Sequence, residues 1–229
     1  MKLTDTIYAI PLIGNRAYLI AEQQLVLIDT GMPFQAKRII RFIKEIGRDP
    51  KELAYIILTH HHIDHRGSAC ALKALTGAKL AAHKHDIPFI EGNRPAYRDH
   101  PRWWVKLLLF ITDLLFQDNT VAVDRMLVDA DTIQGLKVIH TPGHTAGSIS
   151  LLHKKTKALF CGDTAPYTLG KLKKPNPYSI DRAQEIASIK KLAAVDCAFL
   201  LPNDCKMVLD HPQDILKEFC ARKASREKP

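Results

Sequence analysis

The chain has 229 residues, 46% of them hydrophobic, with 33 Lys and Arg against 24 Asp and Glu, a formal charge of +9 at neutral pH. That length suits one large domain with a real core. No stretch reaches the roughly 18 apolar residues of a membrane-spanning helix, and no nucleic-acid-binding motif accompanies the basic clusters at Lys154 to Lys157, at Lys171, Lys173 and Lys174, and in the tail.

The opening MKLTDTIYAIPL breaks its apolar run with Asp5 and Pro11, where an export signal needs continuity. AYLIAE and LVLIDTG read as a β-hairpin ending at Asp29-Thr30-Gly31. In PFQAKRIIRFIKEIG, residues Phe34, Ile39, Ile40, Phe42, Ile43 and Ile46 recur at helical spacing, and Gly47 stands where a C-terminal cap belongs. LAYIIL is a buried strand running into THHHIDHRGS. A helix from Ser68 to Leu75, closed by Gly77, precedes the strand AKLAAH. DHPRWWVKLLLFITDLLFQ lies in what reads as an apolar helical insertion around residues 94–117. Its apolar part makes roughly 20 Å of helix, too short to cross a bilayer. It fits a core helix, a lid over a lipophilic substrate, a homodimer contact or a membrane-surface anchor.

The later half brings short strands, RMLVDA, LKVIHT, SISLLH and KALFCGD, with KKTK as the hairpin turn between the last two. RAQEIASIKKLAA is then helical, CAFLLP a strand and PQDILKEFCARK a closing helix with Pro212 in its first turn. The order predicts an α/β protein, one domain over 1–229, with two mixed β-sheets flanked by helices. Cys70, Cys161, Cys197, Cys205 and Cys220 include no C-x-x-C pair, which fits the reduced thiols of a cytoplasmic protein.

The span LTHHHIDHRGS concentrates metal-ligand chemistry. His60 and His62 are two apart at a strand end, so in extended backbone they point the same way and His61 points opposite. Imidazole and carboxylate are ligands that Zn²⁺ and similar ions accept, and a catalytic ion keeps one position for water. Asp64 and His65 enter the turn before Gly67, where the bend aims both at a neighbouring position. One loop thus offers two adjacent half-sites. His144, in a Pro-Gly loop between strands, and Asp163, at a strand end, are placed to complete them.

With these motifs in this order (LVLIDTG, THHHIDHRGS, HTPGHTAGS, LFCGDTA, FLLPND) the chain resembles the metallo-β-lactamase-fold hydrolases, which include class B β-lactamases, glyoxalase II thioesterases and acyl-homoserine lactonases. The resemblance covers most of the chain. It implies an αββα sandwich with a dinuclear site: His60, His62 and His144 on the first ion, Asp64 and His65 on the second, and Asp163 bridging. It also implies that Asp29 hydrogen-bonds behind the metal loop. Where the family closes on Pro-Gly-His-Gly, this sequence has Pro202-Asn203-Asp204-Cys205. Either Asp204 takes the missing histidine's place, or His211 swings in, or the second site is weak.

The expected activity is hydrolysis of an ester, thioester or lactone by a metal-bound hydroxide, with Asp64 orienting that hydroxide. Two Zn²⁺ ions are the expected cofactors, Mn²⁺ or Fe²⁺ being alternatives at the oxygen-rich second site. The expected partner is a small molecule, with the apolar insertion favouring an acyl-bearing one, and no nucleic acid. Iron-dependent oxygen chemistry of the persulfide dioxygenase kind and a non-catalytic metal-binding descendant are the rival expectations.

Overall fold

The computed structural model describes residues 1–116, 119–173 and 177–224. Gln117 of the insertion, Lys174 of a basic cluster and the tail from residue 225 lie outside the described residues. The chain divides into two compact units, Met1–Leu127 and Val128–Pro229.

In the first unit β1 (Ile7–Pro11), β2 (Arg16–Ala21), β3 (Leu25–Ile28), β4 (Leu53–Ile57), β5 (Lys79–His83) and β6 (Arg125–Leu127) form one sheet in that spatial order. The first three strands are antiparallel neighbours and the last three join in parallel, so the sheet is mixed. Parallel pairing needs crossovers, and helices supply them. α1 (Ala36–Glu45) links β3 to β4, and α2 (Ile63–Arg66) and α3 (Ala69–Thr76) link β4 to β5. α1 turns Ala36, Ile39 and Ile43 into the core, where they pack with Leu19, Leu25, Leu27, Leu53 and Ile56. Both helix-ending glycines sit where expected: Gly47 (φ 77°) donates to Lys44 O and Gly77 (φ 77°) to Lys73 O.

α4 (Ile87–Ile90) leads into the insertion, where a 3₁₀ turn over Ala96–Asp99 precedes α5 (Trp103–Leu115). Only Val105 of α5 is buried, so the core-helix expectation does not hold. β6, which the sequence order assigns to the later half, instead extends the first sheet by pairing with β5.

The second unit holds a five-stranded sheet in the order β13-β10-β9-β8-β7, built from β7 (Thr132–Ile133), β8 (Leu136–His140), β9 (Ile149–His153), β10 (Ala158–Gly162) and β13 (Phe199–Pro202). A small hairpin, β11 (Tyr167–Thr168) with β12 (Lys171–Leu172), stands apart from it. β10 and β13 are parallel while the other neighbours are antiparallel, so this sheet too is mixed. α6 (Arg182–Leu192) and α7 (Pro212–Ala224) contribute Ile189, Leu192, Leu216 and Phe219 to a core with Leu159 and Leu200. The Asp181 carboxylate caps α6 by accepting from Gln184 N.

Candidate metal centre

In the first unit the candidate ligand residues follow β4. Leu58 N still bonds Ala81 O at 3.0 Å, and His62, extended at φ −60°, ψ 149°, is the N-cap of α2. The chain bends at Thr59 and His60 before this cap, and His60 and His62 come to one place. His60 Nε2 and His62 Nδ1 lie 3.1 Å apart. The turn of α2 then brings His65 back, its ring centroid 4.0 Å from that of His60, and Asp64 Oδ2 lies 3.6 Å from His65 Nε2.

His61 faces elsewhere, as alternation requires. Its Nδ1 is 3.1 Å from Asp86 Oδ2, its backbone N donates to the same oxygen at 2.9 Å, and its ring stacks on Phe89 at 4.4 Å. Arg66, next in the loop, donates from Nε to His61 O and from a terminal nitrogen to Asn119 O. Burial pushes the Arg66 guanidinium down, with the Asp113 carboxylate opposing that shift. Burial also pushes the Asp113 carboxyl up.

The loop is fastened from behind by Asp29-Thr30-Gly31. Asp29, fully buried, accepts from Thr59 N (2.8 Å) and Thr59 Oγ1 (2.7 Å) and pairs with His65 Nδ1 at 2.9 Å. This partner keeps the proton on Nδ1 and turns Nε2 towards Asp64. Thr30 donates through N and Oγ1 to His65 O, and Ser68 Oγ donates to Met32 O. Gly67 has no alternative there, because a Cβ would stand 2.5 Å from Pro33 N and Ile63 O.

In the second unit His144 follows Pro142-Gly143 after β8, and Asp163 follows β10. His144 Nε2 and Asp163 Oδ2 are 3.4 Å apart, and both residues are buried. Hydroxyls hold the loop: Ser188 Oγ donates to Pro142 O, Thr145 N donates to Ser148 Oγ, and Ser179 Oγ is 3.5 Å from His144 Nδ1. Gly143, at φ 129°, brings its backbone so close to α6 that a Cβ would lie 2.2 Å from Glu185 N. Glu185 is fully buried, and burial pushes its carboxyl up to about 8, with Ser179 opposing the shift and Asp163 adding to it. Asp204 is exposed just past β13. Burial and then Asp204 push the Cys205 thiol up to about 12, and burial and then Asp163 push Cys161 well above its ordinary value. Neither thiol is therefore a ready nucleophile. His211 is exposed and lies 3.8 Å from Asp214.

The donor set fits a divalent ion. Two nitrogens each about 2.05 Å from a tetrahedral ion lie roughly 3.3 Å apart, close to the separation of His60 Nε2 and His62 Nδ1. Imidazole and carboxylate are donors that Zn²⁺, Fe²⁺ and Mn²⁺ all accept. Asp86, Arg66, Ser179 and Glu185 have no sequence signature for these roles, and for Thr59 the signal is only its position immediately before the histidines.

A model of the Metallo-beta-lactamase superfamily matches residues 11–203. The chain is 33% identical over 160 residues to a hydroxyacylglutathione hydrolase of Shewanella baltica, covering 69% of this chain and 48% of that one. It is 28% identical over 202 residues to an N-acyl homoserine lactonase of a Bacillus species, covering 76% and 72%. The match spans between a third and about half of the length of the hydroxyacylglutathione hydrolases. A solved metallo-beta-lactamase family protein of Thermus thermophilus aligns with a TM-score of 0.73 at 19% identity, over 98% of this chain and 81% of that one. The fold is the one expected from the sequence, mixed sheets flanked by helices.

Proposed function

We propose that this chain, which belongs to the metallo-β-lactamase superfamily, hydrolyses a carboxylic ester, thioester or lactone with the help of two divalent metal ions. The observation that carries the proposal is the convergence of His60 Nε2 and His62 Nδ1 at 3.1 Å beside a His65 fixed by Asp29. By the superfamily's pattern His60, His62 and His144 would hold the first ion and Asp64, His65 and Asp163 would serve the second, where Asp204 of this chain stands in the position of the family's closing histidine. Divalent ions there would supply Lewis acidity, lowering the pKa of coordinated water from 15.7 to about 7 and polarising a carbonyl.

This chain's own groups supply the rest. Asp29 fixes the His65 tautomer, so that Nε2 presents a lone pair. Asp64, with its side chain 43% exposed, has room to accept a proton from an attacking water and to orient that water towards the carbonyl carbon. Ser179 lies beside His144 Nδ1 and sets the tilt of that ring. The hydroxyacylglutathione hydrolase and lactonase relatives favour thioesters and lactones as the substrate class.

A panel of thioesters, lactones, aryl esters and phosphodiesters, assayed with protein reloaded with Zn²⁺, Mn²⁺ or Fe²⁺, tests this. Turnover of a carbonyl substrate that disappears in His60→Ala is expected. Turnover of phosphodiesters alone, or oxygen consumption with a persulfide in the presence of iron, would overturn the proposal.

A further inference from the structure

α5 inverts the usual arrangement of a surface helix. Its polar Thr112 and Asp113 turn inward, Thr112 Oγ1 donating to Leu109 O and Asp113 accepting from Ala96 N. Its outward side is apolar: Trp103 is 76% exposed, Leu107 52%, Phe110 45% and Leu114 60%, and Ile111 and Leu115 lie beside them. At 100° per residue, positions 103, 107, 110, 111 and 114 form one continuous stripe. A contiguous patch of large apolar side chains marks an interaction surface rather than ordinary scattered exposure. Tyr97 of the preceding 3₁₀ turn packs edge-on against Phe110, the ring centroids 5.4 Å apart.

Charge chooses the occupant. Arg98 and Lys106 are exposed and Arg102 half-buried around the N-terminal end of this helix, beside Trp103 and Trp104. Asp113, the carboxylate within α5, is taken up on the inner side. A second copy of the chain would meet the patch with the same cations, and the whole chain carries +9. We propose that α5 is an in-plane anchor that seats this protein on an anionic phospholipid surface, its apolar stripe in the acyl boundary and Arg98, Arg102 and Lys106 among the headgroups. Thirteen residues, about 20 Å of helix, suit lying in the interface rather than crossing it. No helix among the described residues is long and apolar enough to cross a membrane.

Both tryptophans of the chain are in α5, so tryptophan fluorescence, excited selectively over tyrosine, reports on this element. The full chain is titrated with vesicles of phosphatidylcholine, and of phosphatidylcholine with about a third phosphatidylglycerol, with co-sedimentation in parallel. Each cation near an anionic surface contributes about fivefold, so the three predict roughly hundredfold tighter binding to the anionic vesicles. A blue shift is expected with them, weakening at about 0.5 M salt. Leu107→Ser with Leu114→Ser, both at exposed positions, should abolish binding. Arg98→Glu with Lys106→Glu should abolish the lipid preference. Equal binding to both vesicles would overturn the electrostatic argument. No binding to either, with a dimer in solution that the leucine substitutions dissociate, would assign the stripe to a second copy and overturn the proposal.

Discussion

Asp29→Asn isolates the group behind the metal loop. Asp29 has φ 59°, a left-handed conformation that asparagine tolerates and alanine does not, so the amide removes charge and acceptors without adding backbone strain. The carboxylate takes three contacts, Thr59 N at 2.8 Å, Thr59 Oγ1 at 2.7 Å and His65 Nδ1 at 2.9 Å. The amide can satisfy only one side. If its NH₂ replaces Oδ1, the buried Thr59 backbone N–H loses its acceptor. If it replaces Oδ2, it meets a donor on His65, which must then move its proton to Nε2. A hydrogen bond to a charged group contributes about 1.5–3 kcal/mol, so losing one such contact costs the metal-free protein about 2–3 kcal/mol. Because His65 then loses its fixed tautomer, affinity for the ion it binds should fall roughly 10–100-fold. Urea unfolding after chelator treatment reads the first quantity, and competition with a zinc indicator reads the second. Stability within about 0.5 kcal/mol of the parent together with unchanged metal affinity would refute the role assigned to Asp29.

His60→Ala should remove turnover by more than the 10–100-fold of an outer partner, with its circular dichroism unchanged. His61→Ala should keep most turnover yet cost about 2–4 kcal/mol in urea unfolding, since its ring packs on Phe89. Glu185 has a folded pKa of about 8 against an ordinary 4.5, so between these values the unfolded chain loses a proton that the folded chain keeps. Stability of the metal-free protein should therefore fall as pH rises from about 4.5 to 8, by up to roughly 5 kcal/mol at 1.36 kcal/mol per unit. Glu185→Gln should flatten that slope, as pH-dependent urea midpoints would reveal. Added Mn²⁺ should raise the activity of singly loaded protein, and Asp204→Ala should abolish that rise while sparing the first ion, since on the proposed ligation it would remove an oxygen donor from the second; two ions bound as tightly as in the parent would assign the ligand elsewhere.

Local pattern made much of this legible. The hairpin before Asp29, the helix ended by Gly47 and the alternation that separates His61 from His60 and His62 all follow from contacts a few residues apart, and the structure reproduces them. β6 was legible as a strand but its sheet was not, because Arg125–Leu127 joins the first sheet through a parallel pairing with β5 across about forty residues, which no local period encodes. The apolar character of α5 was plain, but which side faces solvent depends on the 3₁₀ turn beside it. Roles such as Asp86 holding His61 or Ser179 standing beside His144 need tertiary proximity, and a lone Asp or Ser gives no signal of that.

Whether the histidine loop serves metal ions in hydrolysis is decided by titrating chelator-stripped protein with Zn²⁺ while bound metal and thioester or lactone turnover are followed on the same samples. Two ions per chain are expected, the second weaker, with turnover appearing as they load. No bound ion with no turnover, or a single iron with oxygen uptake in its place, would contradict that role.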